Sequence, residues 1–164
     1  MKNRAAYFGV FTALALILSY VETLIPVQFG IPGIKLGLAN LVVVIVLCKT
    51  DWKEALLLSV SRVLLAGFIF GSLFSIIYSL AGGVLSLLVM AVLVRSERFG
   101  VAGVSMAGGV AHNIGQLATA MIAVSTYQVG YYLPVLLIAG LMTGAVIGLA
   151  ADAVLKRIRN LDFQ

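Results

Sequence analysis

Residues 101–151 read VAGVSMAGGVAHNIGQLATAMIAVSTYQVGYYLPVLLIAGLMTGAVIGLAA and contain no Asp, Glu, Lys or Arg. As one α-helix the stretch would be ~75 Å long, at about 1.5 Å per residue, while a bilayer's hydrocarbon core is about 30 Å thick. A charge-free run of that length is expected to double back inside the membrane. The turn is expected near Ser125–Tyr132. Two crossings are read here.

The rest of the chain follows the same pattern. Residues 55–94 hold a single charge, Arg62, and would make a helix ~60 Å long, so a break is expected near Gly67–Ser75. The run Ala5–Ile25 follows Lys2 and Arg4 and resembles a signal peptide. It is longer than a usual h-region, and no small-residue cleavage site follows it, so it is read as a retained first helix. Pro26–Pro32, with Gly30 and Gly33, breaks the chain after it. Leu36–Cys48 is apolar but only ~20 Å long as a helix, the shortest of the expected spans. The sum is six crossings in one all-α membrane bundle, a single domain over residues 1–164.

Composition agrees. Hydrophobic residues make up 62% and charged residues 10%, with mean hydropathy +1.15; soluble domains carry roughly 25% charged residues. With six crossings, Lys2, Arg4, Lys49, Lys53, Arg95, Arg98, Lys156, Arg157 and Arg159 fall on one side and Lys35 on the other. The positive-inside rule then places both termini in the cytoplasm of a multi-pass cell-membrane protein. The net charge of +5 is orientation charge of this kind, so nucleic acid is excluded as a partner. One cysteine, Cys48, rules out a disulfide framework and a cysteine metal site.

Small residues recur at helical spacing: Gly140, Gly144 and Gly148; Ser72, Ser75, Ser79 and Ser86; Ala107, Ala111 and Gly115; Gly9 and Ala13. They are read as tight packing seams or as surfaces for a partner. Polar groups at membrane depth are costly and mark candidate sites. Arg62 either snorkels to headgroups or offers a fixed positive charge to an anionic substrate. His112 and Gln116 share a helical face, serving as interhelical glue or as a ligand-binding stripe. Glu22, Lys35 and Asn40 gather near the outer ends of the first two helices, as surface groups or as the mouth of a pocket. A lone histidine without acidic neighbours is a poor metal site, so no metal and no cofactor is expected. No phosphate-binding glycine loop, nucleophile elbow or HExxH pair occurs. The six acidic residues are scattered, so magnesium-dependent diphosphate chemistry is not expected. Enzymatic activity is not read here.

The segments Ala13–Glu22, Ile31–Asn40, Tyr78–Gly83 and Gly108–Gln116 resemble the Gx transporter family, which also carries the label heptaprenyl diphosphate synthase component I. More distantly the chain is similar to the substrate-binding S components of energy-coupling-factor (ECF) vitamin transporters. That resemblance implies a substrate-capture protein that docks on a transmembrane T subunit and two ATPases. It implies docking through small residues of the first helix, here Gly9 and Ala13. It implies a pocket in the outer half of the bundle, favouring Asn40, Tyr78, His112, Asn113 and Gln116, with Arg62 deeper and Glu22 and Lys35 at the gate. The function expected is a transport component binding a small, partly anionic or aromatic molecule. The alternatives are an accessory subunit of a heptaprenyl diphosphate synthase and a secondary transporter working alone.

Overall fold

A computed structural model describes residues 2–24 and 37–159, with side chains from residue 5 onward. Among these residues there are six α-helices and no strand: α1 (Lys2–Leu24), α2 (Leu38–Lys49), α3 (Trp52–Phe70), α4 (Leu73–Arg95), α5 (Val101–Val124) and α6 (Leu133–Arg157), with a 3-10 turn at Tyr127–Tyr132. The two expected reversals are present. Gly71 and Ser72 separate α3 from α4, and the Ser72 hydroxyl caps α4 by accepting the Ser75 N–H at 3.2 Å. Ser125 closes α5 in the left-handed region, φ 51°. Asp51 caps α3, its carboxylate accepting the Trp52 N–H at 2.7 Å.

Neighbouring helices in the sequence run antiparallel. Gly67 lies against Ile76 and Gly83 against Ser59, while Gly82 meets His112 and Gln116 and Gly144 meets Met106. The α2–α3 turn reaches the end of the chain, where the Lys49 ammonium donates to the Arg159 carbonyl at 3.1 Å. Tyr7 and Phe8 border the same small space as Val46 and Thr50. The start of α1, the α2–α3 turn and the end of α6 therefore share one end of the bundle, where the basic residues collect.

The arrangement around α2 was not foreseen. It has 12 residues, ~18 Å of helix, less than a crossing needs. Val42 through Leu47 are nonetheless all buried, because α1, α3, α5 and α6 pack around it. With its apolar faces covered by these helices, α2 is the axis of the bundle and lipid contact falls to the others. Three helices, Ala5–Leu24, Leu73–Arg95 and Tyr127–Arg157, are long and apolar enough to cross a membrane. The remaining two, α3 with 19 residues and α5 with 24, carry Arg62, His112 and Gln116. The outer surface is apolar: Val10, Ile17, Leu24, Phe68, Ile122 and Val146 are all more than half exposed, as a lipid-facing surface requires and a water-facing one does not.

The glycine series of α6 is an internal seam. A Cβ on Gly140, Gly144 or Gly148 would lie within 3 Å of backbone atoms of Gly109, Met106 and Ala102 respectively. Gly115 is similarly close to Ala81 and Gly82. Gly9 differs, with nothing within 4 Å of where its Cβ would stand.

Candidate functional site

Five of the helices converge on one cavity of about 260 Å³. It opens toward the end of the bundle away from the basic residues. From α3 it takes Arg62, Val63, Ala66, Gly67 and Phe70, which share one helical face. Ser19, Glu22 and Thr23 come from the last turns of α1, and Gly37 and Asn40 from the start of α2. Ser75 and Ser79 of α4 and His112 and Gln116 of α5 close the far wall.

Arg62 is ten residues into α3, ~15 Å along its axis, too far from either end of the helix to reach headgroups with ease. One guanidinium nitrogen, Nη2, donates to the Asn40 side-chain carbonyl at 3.3 Å, a long bond. Its Nε is buried and has no partner among the described residues. An arginine in such a place is stabilised by an opposite charge or by hydrogen bonds to all its donors, and the described residues give it one long hydrogen bond.

Glu22 stands at the mouth. Its carboxylate accepts the Gly37 N–H at 2.6 Å, tying the end of α1 to the start of α2. Gly37 has φ 74°, a left-handed conformation that glycine adopts without a Cβ penalty. Among the described residues Glu22 and Arg62 form no ion pair, although the carboxylate's charge is felt at the guanidinium. Gln116 is 3% exposed and lines the cavity. Its amide has no hydrogen bond among the described residues. Among these residues no group of three or more His, Cys, Asp or Glu could hold a metal ion.

Of the residues singled out from the sequence, Glu22, Asn40, Arg62, His112 and Gln116 meet around this cavity. Lys35, expected at the gate, lies outside the described residues. Tyr78 is not among the lining residues and stacks on Phe74, ring centroids 5.9 Å apart. Asn113 turns the other way and donates to the Leu136 carbonyl of α6 at 2.6 Å. Sequence reasoning passed over Ser19, Gly37 and the α3 wall, and read Ser75 as part of a packing seam or partner surface. The signal for that wall was available, since positions 63, 66, 67 and 70 continue the face that starts at Arg62. Gly9 and Ala13 are exposed on the outer face of α1.

The sequence model of a family described as heptaprenyl diphosphate synthase component I matches residues 11–154. The chain belongs to that family. No curated protein and no solved structure matches it. The component I match reaches into all six helices, and every lining residue of the cavity lies within it. A family described as a component works beside another protein, and the apolar outer surface suits a membrane component.

Proposed function

We propose that this component I protein captures a small molecule from outside the cell as the binding component of a transport system. The observation that carries the reading is the cavity, which places the Arg62 guanidinium, whose buried Nε has no partner among the described residues, beside the Gln116 amide at mid-depth in an apolar bundle. Polar groups kept so deep without partners cost stability, and a ligand that satisfies them accounts for their presence. The sequence has no phosphate-binding loop to use ATP, so partners supply the energy. In this reading all six helices cross, both termini are cytoplasmic, and residues 1–164 form one domain. The open face at Gly9 and Ala13 meets a T subunit of an ECF module with two ATPases. Arg62, His112, Gln116 and Asn40 bind the substrate. Glu22 and Lys35 gate the entrance, and Tyr78 and Asn113 support the pocket from behind.

The family description favours a second reading, a membrane accessory subunit of heptaprenyl diphosphate synthase. Affinity purification in mild detergent, followed by mass spectrometry of proteins and small molecules, decides between them. A T subunit with two ATPases and a co-purified small molecule supports transport. A soluble prenyltransferase with an empty cavity supports the accessory role and refutes transport.

A further inference from the structure

We propose that the ligand of this cavity is dipolar, a small amino-acid-like molecule with an ammonium group at one end and a carboxylate at the other. The inference rests on the capture reading above and narrows it to a substrate class. Two charged side chains line the cavity among the described residues, and they have opposite sign: Glu22 at the mouth and Arg62 at depth. They do not pair with each other. Among the described residues Glu22 accepts one hydrogen bond, from the Gly37 amide, and Arg62 makes one long bond to a neutral amide while its buried Nε has no partner.

A plain anion must pass the Glu22 carboxylate at the mouth to reach Arg62 and leaves that carboxylate unmatched; a plain cation held at Glu22 leaves Arg62 unmatched at depth. In a low-dielectric site each mismatch is a repulsion that water does not screen away. A molecule carrying both charges, anion inward, matches both. Gln116 then contributes what a carboxylate and its carbon chain leave open, since its amide offers a donor and an acceptor. The volume, about 260 Å³, holds on the order of ten non-hydrogen atoms at roughly 30 Å³ for a water-sized group. That is the size of an amino acid.

Binding to the full-length protein in nanodiscs tests the proposal with a homologous series of ω-amino acids, from glycine to 6-aminohexanoate. Pentanoate and pentylammonium serve as matched ions of single charge. One member of the series is expected to bind at least about tenfold more tightly than either single ion, because only it gains both charge contacts. In Glu22→Gln protein the advantage over pentanoate is expected to disappear. Pentanoate binding wild type as tightly as the best amino acid overturns the proposal, as does an unchanged preference in Glu22→Gln protein or binding by no member of the series. These failures are separable from failure of the capture reading. Pentanoate binding that is lost in both Arg62→Met and Gln116→Leu proteins leaves a binding cavity with the wrong ligand class assigned. An empty protein in the affinity purification removes the cavity's role itself.

Discussion

Replacing Gly144 with alanine places a methyl carbon 2.7 Å from both the Met106 Cα and the Ser105 carbonyl oxygen of α5. Ordinary carbon contacts lie near 3.5–4.0 Å, so α6 has to move away by about 1 Å. Both obstructing atoms are backbone, and no side chain can rotate to relieve them. Gly140 and Gly148 on the same face are seated just as closely, so the shift loosens the whole α5–α6 contact. Overpacking of this kind costs about 1–3 kcal/mol, roughly a 5- to 150-fold change in the folding equilibrium at 1.4 kcal/mol per factor of ten. The control is Gly9→Ala, whose added Cβ meets nothing within 4 Å. It is expected to be neutral, or to stabilise by up to about 1 kcal/mol through helix propensity. Reversible unfolding of both variants in mixed detergent micelles measures the difference. If Gly144→Ala costs no more than Gly9→Ala, the α5–α6 seam is not packed as described.

Gln116→Leu replaces an amide that lines the cavity by an apolar group of similar size, so ligand retention in affinity purification is expected to fall while the empty protein unfolds no more easily in the same assay. Asn113→Ala breaks the bond to the Leu136 carbonyl; at the ~0.6 kcal/mol typical of interhelical bonds in membranes, unfolding should register a small loss and ligand retention should barely change. Gly37→Ala forces a side chain into the left-handed region and is expected to cost about 1–2 kcal/mol, read as a lowered melting temperature. Gly9→Leu fills the open face of α1 without touching the bundle, so thermal stability is expected to hold while recovery of a T subunit drops.

The helices and their reversals were legible because hydrophobic length and charge-free runs are local properties. The break at Gly71–Ser72 and the turn after Val124 both fell inside the expected segments. The place of α2 was not legible: a short apolar helix reads alike whether it faces lipid or protein, and only the helices around Val42–Leu47 decide between them. The same limit applied to the polar residues. Arg62, His112 and Gln116 stood out because charge and amides are rare at that depth, and the structure brings them to one cavity. Asn113 stood out equally, yet it points 100° around the helix from His112 and reaches α6 instead. Residue type flagged these positions, but helical phase decided which of them face each other.

The enclosed axis has a consequence for biogenesis. A helix of 12 residues is too short to be held across the bilayer by lipid alone, and one of its walls is α6, made after the other five described helices. The contact from Lys49 to Arg159 spans 110 residues of sequence. During synthesis α2 therefore waits, partly covered by α1 and α3, until α6 arrives to close the ring. Chains cut short before Leu133 leave that axis open along one side, and membrane proteases would meet them as unfinished molecules even though five of the six helices are intact.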